Sequence, residues 1–168
     1  MSVKDSPGRA FVFGDNIDTD VLAPGSLMKL QPHDLAMHCL AAIDPTFARE
    51  VRAGDYLIAG ANFGLGSSRE QAAVSLKLLG VKAVLAKSFA RIFWRNAINL
   101  GLPALTFPQA DEVRPGDRLM VDAALGQVQN LTQGRFYAVQ PLPEHLMAMI
   151  ADGGLLPHLK RRLVGVAA

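Results

Sequence analysis

The sequence has 168 residues, of which half are hydrophobic and 19% are charged, and its formal net charge is +2. This composition is ordinary for a soluble globular protein and gives no reason to expect a nucleic-acid partner. No stretch approaches the ~20 consecutive apolar residues of a membrane span, and the first residues lack the apolar core of a signal peptide. We therefore expect one cytoplasmic domain over residues 1–168, with no membrane partner.

The cysteine and histidine content argues against metal chemistry in this chain. Cys39 is the single cysteine, which excludes an internal disulfide and is typical of a protein from a reducing cytosol. An iron–sulfur cluster held by one chain alone usually needs several cysteines. The four histidines show no spacing of the HExxH type. We therefore expect no metal and no cofactor in this chain.

The predicted elements of residues 10–107 alternate between strands and helices. Leu35, Cys39 and Ile43 recur every four residues and indicate a helix over 32–43. Gly80 is the expected end of one later helix, and Ser88 the expected N-cap of another. Strands joined through helices favour a parallel sheet with right-handed crossovers. The helix predicted over 89–101 has an apolar face that contains Ile92, Phe93 and Ala97. The other predicted elements are a helix over 68–79 and strands over 10–15, 55–60, 81–86 and 102–107.

The pattern changes after residue 117. Short strands over 117–122, 126–131 and 136–142 are separated by turns that contain glycine or asparagine, which favours an antiparallel portion. A final helix begins near Pro143, breaks at Gly153–Gly154 and resumes over 155–163. We therefore expect an α/β domain in which a parallel part and an antiparallel part pack as layers.

The first candidate site is the stretch GANFGLGSSREQAA, residues 60–73, which joins a predicted strand to a predicted helix. The carboxyl end of a parallel strand is where open α/β folds bind ligands. Ser67, Ser68 and Arg69 lie at the expected start of the helix, where free backbone N–H groups favour an anion. The stretch fails the Walker, nucleophile-elbow and dinucleotide templates. Ser67 and Glu70 also form a capping box, so a helix cap and an anion site remain equal alternatives.

Two further stretches carry polar residues in patterns that are ambiguous on their own. GDNIDTDVLAPG, residues 14–25, crowds three aspartates into a loop, which is explained either by Asx turns or by carboxylates placed at a site. It does not have the spacing of a calcium loop. In residues 87–99, Arg91 and Arg95 lie one helical turn apart, which is more typical of an exposed basic face than of a site.

Taken in order, these three stretches resemble the family of 3-isopropylmalate dehydratase small subunits, which is similar to the swivelling C-terminal domain of aconitase. The resemblance implies a three-layer β/β/α swivelling domain with a parallel and an antiparallel portion. It implies a hydro-lyase of leucine biosynthesis that moves a hydroxyl between adjacent carbons of a malate derivative. It also implies a partner large subunit, in a heterodimer or heterotetramer, which carries a 4Fe–4S cluster and completes the active site.

The resemblance assigns roles to residues at matching positions. It implies that Ser67 is the base that takes the carbon-bound proton, and that Ser68 and Arg69, beside Gly66, bind a substrate carboxylate. The segment Asp18, Thr19 and Asp20 would lie at the mouth of the site, either touching substrate or shaping the loop.

The loop after Pro24 discriminates the substrate's side group in this family. Here it reads Leu27, Met28, Lys29 and Leu30, whose apolar members suit an alkyl group such as isopropyl or simply pack the loop. The exact substrate therefore stays open between isopropylmalate, dimethylmalate, citraconate or maleate, and homoaconitate. Leu65 and Gln71 depart from the family's usual residues, and we expect both to affect packing only. The other class considered is a non-catalytic module that binds a dicarboxylate or RNA, and the isolated chain could self-associate.

Overall fold

The computed structural model describes residues 6–167 and contains a mixed sheet of seven strands. The strand order is β4-β3-β2-β1-β5-β6-β7. Strands β1 to β4 are parallel, and β5, β6 and β7 are antiparallel to their neighbours. The strands are β1 Gly8–Val12, β2 Tyr56–Ala59, β3 Ala83–Ala86, β4 Ala104–Thr106, β5 Arg118–Asp122, β6 Gln127–Asn130 and β7 Arg135–Ala138.

Seven α-helices accompany the sheet in the described part of the chain. None of them combines the length and the apolar character that a membrane crossing requires. Two short 3₁₀ helices, Gly25–Leu27 and Ala110–Glu112, lie between them. The α-helices are α1 Thr19–Leu22, α2 Pro32–Ala36, α3 Phe47–Glu50, α4 Gln71–Leu78, α5 Arg91–Asn99, α6 Glu144–Ala151 and α7 Leu155–Ala167.

The layers follow from the alternation of side chains along the parallel strands. In β2, Leu57 faces a core that it shares with the helices, whereas Ile58 faces a second core that it shares with the antiparallel strands. Successive strand residues point to opposite faces, so a strand that is apolar throughout must be covered on both sides. Helices α1 to α5 cover one face of the parallel half, and the antiparallel strands together with α6 cover the other. The predicted β/β/α arrangement with parallel and antiparallel portions is confirmed.

Strand β1 joins the two halves of the sheet. Its residues Ala10 and Val12 pair in parallel with β2, and Gly8 pairs antiparallel with Leu119 of β5. Gly8 lies so close to the next loop that a Cβ atom there would fall 1.9 Å from the Gly54 carbonyl oxygen. Only a residue without a side chain permits this approach.

The predicted helix over 32–43 is too long, because α2 ends at Ala36. Beyond it the chain continues in tight turns such as the one closed by the Cys39 N–H on the Ala36 carbonyl. Leu40 takes a positive φ of 62° and donates its N–H to the Val21 carbonyl of α1. This tertiary bond redirects the chain and leaves Ile43 52% exposed, although its spacing predicted a buried position.

Two predicted helix details are wrong near the candidate site. The N-cap of α5 is Ala90, and the Ser88 hydroxyl instead accepts a hydrogen bond from the Asn62 N–H at 2.8 Å. The predicted apolar face of this helix is only partly buried, because Phe93 and Ala97 are in the core but Ile92 is 49% exposed. The predicted C-terminal position of Gly80, with φ of 90°, is confirmed.

Candidate active site

The candidate site is built from the two loops that follow β1 and β2. These strands are parallel neighbours, so their carboxyl ends lie side by side at one edge of the sheet. Backbone bonds hold the loops together, since the Thr19 N–H donates to the Leu65 carbonyl at 2.9 Å and the Gly64 N–H donates to the Ile17 carbonyl at 2.7 Å. Residues that are about 48 positions apart in sequence therefore form one surface.

Two glycines allow the second loop to lie against its neighbours. Gly64 has a φ of 83°, and a Cβ atom there would meet the ring of Phe93 on α5 at 2.2 Å. Gly66 has a φ of 113°, and a Cβ atom there would lie 2.9 Å from Thr19 Oγ1. Both positions need a residue that tolerates positive φ and occupies almost no space. The glycines thus set how closely Ser67 approaches the first loop.

Ser67 is tied to Thr19 by both its backbone and its side chain. The Ser67 N–H donates to Thr19 Oγ1 at 3.0 Å, and the two hydroxyl oxygens are 3.1 Å apart. Thr19 is only 3% exposed, whereas Ser67 is exposed. The predicted capping box is absent here, because α4 begins at Gln71, its N-cap is Glu70, and no side chain bonds its first turn. The Ser67 hydroxyl is engaged with the other loop instead.

Ser68 and Arg69 present their backbone N–H groups without a partner among the described residues. The Ser68 carbonyl accepts a long hydrogen bond of 3.4 Å from Asn96 Nδ2 on α5. Ser68 is exposed and its hydroxyl also has no partner within residues 6–167. This short segment therefore offers several donors at the surface, as an anion-binding segment requires.

Arg69 reaches back to the first loop and is held there by two hydrogen bonds. Its Nη1 donates to Asp20 Oδ1 at 3.0 Å and to the Ala23 carbonyl at 3.1 Å. Asp20 Oδ1 also accepts the Gly25 N–H at 2.8 Å. The Gly25 N–H and the Arg69 guanidinium lower the pKa of the Asp20 carboxyl below its ordinary value. Asp20 therefore stays ionised and fixes one edge of the guanidinium.

The other acidic residues of the first loop have structural partners. Asp18 is the N-cap of α1 and accepts the Val21 N–H at 2.9 Å. Asp15 Oδ1 accepts the Ala61 N–H at 2.7 Å and so ties the first loop to the start of the second. Asp18 is thus a helix N-cap bonded to the residue three positions on, and not the Asx turn that the sequence suggested, while Asp20 bonds Arg69.

Sequence reasoning missed a pair of asparagines at the same edge. Asn16 and Asn62 both have positive φ, of 57° and 59°, and Asn62 Nδ2 donates to Asn16 Oδ1 at 3.0 Å. Asparagine tolerates this conformation better than most residues, and each asparagine lies in a loop beside glycines. That local pattern was the available signal, but nothing in the sequence indicated that the two side chains would meet.

Comparison with known proteins decides the family. Residues 42–110 match the family model described as the aconitase C-terminal domain. The chain is 47% identical over 158 residues to the 3-isopropylmalate dehydratase small subunit of Moorella thermoacetica, which covers 93% of this chain and 95% of that protein. The chain belongs to the family of 3-isopropylmalate dehydratase small subunits. Within that family, the small subunit of Methanosarcina acetivorans is 44% identical over 92% of this chain.

A solved structure agrees with this assignment. The crystal structure of 3-isopropylmalate dehydratase from Methanocaldococcus jannaschii is 41% identical to this chain, with a TM-score of 0.90. The match covers 96% of both chains. The family resemblance predicted from three motifs is therefore confirmed over nearly the whole chain.

The four residues that the family resemblance assigns to side-group selection divide into two pairs. Leu27 and Met28 are half-buried and pack against the helical core. Lys29 and Leu30 are exposed. The loop is anchored by the Gly25 N–H on Asp20 and is therefore coupled to Arg69. Of these four residues, only Lys29 and Leu30 are exposed to solvent.

The described residues offer no ligand set for a metal or a cluster. No group of three or more His, Cys, Asp or Glu residues within 6–167 is arranged to hold a metal ion. Cys39 is completely buried in the helical core, and burial raises the pKa of its thiol. A neutral buried thiol is a packing group and a poor metal ligand.

Proposed function

We propose that this chain is the small subunit of a cytoplasmic 3-isopropylmalate dehydratase, which interconverts 2-isopropylmalate and 3-isopropylmalate by dehydration and rehydration. The observation that carries the proposal is the end-to-end similarity to small subunits of that enzyme, at 47% identity over 93% of the chain. The arrangement of Ser67, Ser68 and Arg69 at one exposed edge of the sheet supports it.

Ser67 is the proposed base. Its oxygen, as an alkoxide, takes the proton from the carbon next to the hydroxyl-bearing carbon, and the hydroxyl departs to give an unsaturated diacid. Water then adds back across the double bond in the opposite sense. The hydroxyl joins the carbon that lost the proton, and Ser67 returns the proton to the carbon that lost the hydroxyl. Free N–H groups of Ser68 and Arg69 beside Ser67 favour negative charge at this position.

Arg69 and Ser68 are the proposed ligands of a substrate carboxylate. One edge of the guanidinium is fixed by Asp20 and the Ala23 carbonyl, which leaves the other edge with no partner among the described residues. A guanidinium edge matches the two oxygens of a carboxylate. Asp18, Thr19 and Asp20 shape this mouth of the site, with Gly66 leaving room beside it. We propose that Lys29 and Leu30 contact the substrate's side group.

A large subunit is the proposed partner, because the relatives that this chain matches are named small subunits. In addition, no group of side chains within residues 6–167 is arranged to hold a metal ion. A 4Fe–4S cluster on that subunit would supply Lewis acidity toward the hydroxyl. This chain would contribute the base and the carboxylate ligands and would exclude water where the two subunits meet. The site edge is exposed in the isolated chain, and a serine exposed to water is a weak base.

The test is to co-purify this chain with its large subunit under reducing, anaerobic conditions and follow the unsaturated diacid by its ultraviolet absorbance. Ser67→Ala should lower kcat at least about 100-fold, because general-base catalysis is lost. Ser6→Ala, an exposed serine near the start of the described chain, is the matched control and should keep full activity.

A panel of substrates completes this experiment. Isopropylmalate, dimethylmalate, citraconate, maleate and homoaconitate are offered to the same complex, and we expect isopropylmalate to have the highest kcat/KM. No turnover of any of these diacids by the reconstituted complex would refute the proposed function. Full activity of Ser67→Ala would refute the assigned base while leaving the enzyme class intact.

A further inference from the structure

The hydrogen bonding of Thr19 has a direction that follows from counting donors and acceptors. Thr19 Oγ1 accepts the Ser67 N–H at 3.0 Å and lies 3.1 Å from Ser67 Oγ. No other polar atom of the described residues bonds this hydroxyl. Thr19 is only 3% exposed, so its own proton has no access to bulk water.

Two arrangements of the protons are conceivable between the two oxygens. If Ser67 donates to Thr19, the Thr19 hydroxyl accepts two bonds and its own proton stays buried without an acceptor. If Thr19 donates to Ser67, every polar group is satisfied and the exposed Ser67 can direct its proton outward. An unpaired buried donor is costly, whereas an unpaired donor at the surface is solvated by water. The second arrangement is therefore the more stable one.

We propose that Thr19 is a positioning residue that donates its hydroxyl proton to Ser67 Oγ and thereby directs the Ser67 proton outward, to the open side of the site. This inference rests on the proposed function, in which Ser67 is the base. Ser67 loses its own proton to solvent, and the Thr19 O–H bond stays intact. The resulting alkoxide then takes the substrate proton.

The geometry keeps this donor in place during the reaction. The Thr19 N–H donates to the Leu65 carbonyl. Thr19 Oγ1 lies so close to Gly66 that a Cβ atom there would be only 2.9 Å from it. A hydrogen bond strengthens when its acceptor becomes charged, so the Thr19 donor stabilises the alkoxide more than the neutral serine. Thr19, which lies at the mouth of the site, thus acts through Ser67 and does not contact the substrate.

The kinetic test uses variants of Thr19 in the complete two-subunit enzyme. Thr19→Val keeps the shape but removes the hydroxyl, and we expect kcat to fall about 10- to 100-fold, the range for a hydrogen bond to a charged group. KM should stay unchanged, because Thr19 does not touch substrate. Thr19→Ser restores the donor and should restore most of kcat. Thr106→Val, an exposed threonine at the end of β4, is the matched control.

A second measurement decides the direction of the bond without relying on turnover. Neutron diffraction from a deuterated crystal of this chain should place a deuteron on Thr19 Oγ1, directed at Ser67 Oγ. A deuteron on Ser67 directed at Thr19 would overturn the proposal, as would wild-type kcat in Thr19→Val or a Thr19→Ser variant as slow as Thr19→Val. If the wild-type complex turns over no diacid, the proposed function fails, and the deuteron position still decides the direction of this bond.

Discussion

At the scale of single residues, Arg69 does more than supply a positive charge. Its Nη1 bonds Asp20 and the Ala23 carbonyl, and its Nη2 lies beside Gly25, where a Cβ atom would meet it at 3.0 Å. The side chain is thus fixed before a substrate arrives. A side chain that is already ordered loses less conformational entropy when it binds a substrate.

We expect Arg69→Lys to raise KM for isopropylmalate about tenfold, which corresponds to about 1.4 kcal/mol of lost binding free energy. Lysine keeps the charge but cannot bond Asp20 and present a two-point edge to a carboxylate at the same time. Steady-state kinetics on the two-subunit enzyme measure the change. Arg162→Lys on the exposed face of α7 is the control, and an unchanged KM in Arg69→Lys would show that Arg69 does not bind the carboxylate.

At the scale of elements, the loop between β2 and α4 depends on its contact with α5. Phe63 stacks edge-on against Phe93, with ring centroids 5.0 Å apart, and its N–H bonds the Ser88 carbonyl. Gly64 lies directly on the Phe93 ring. The start of the loop that carries Ser67 is therefore packed on α5 through Phe63 and Gly64, and this packing helps to position the serine.

We expect Gly64→Ala to destabilise the chain by about 1–3 kcal/mol through overpacking against Phe93. The positive φ of Gly64 adds about 1–2 kcal/mol, because alanine is strained in that conformation. Urea unfolding monitored by the fluorescence of Trp94 measures the loss. Gly14→Ala is the control, since a Cβ atom there meets nothing within 4 Å. Equal stability of the two variants would contradict the close contact.

The element pattern also shows where sequence reasoning was limited. The strand–helix order, the antiparallel portion and the Gly80 helix end were all predicted. The capping box at Ser67 and the N-cap at Ser88 were wrong, because both hydroxyls bond groups on another loop. Local capping rules assume that a side chain has only its own helix to bond, and at this edge of the sheet a second loop competes.

At the scale of the whole molecule, β2 belongs to two cores at once. Leu57 packs with the helices and Ile58 packs with the antiparallel half, and both are fully buried. A strand shared between two cores couples the unfolding of the layers. The described residues should therefore unfold as one cooperative unit, in keeping with the prediction of a single domain.

We expect Leu57→Ala and Ile58→Ala each to lower the free energy of unfolding by about 2–5 kcal/mol, the usual range for truncating a buried aliphatic side chain. Each variant should show one transition in urea, with the midpoint lowered for circular dichroism and fluorescence alike. Leu78→Ala, a more exposed leucine on α4, is the control and should change little. Two separate transitions would show that the layers unfold independently and would refute the single domain.

The sequence by itself determined the fold class, the family and the identity of the candidate site residues. Hydrophobic periodicity reports which face of an element is buried, and the three motifs lie in contiguous stretches that can be read without coordinates. Only the tertiary structure decided which residues touch. It joined Thr19 to Ser67 and Asp20 to Arg69 across more than 45 positions of sequence, because the parallel pairing of β1 and β2 brings their following loops to the same edge. The direction of the Thr19 hydrogen bond follows from burial, which no local pattern encodes.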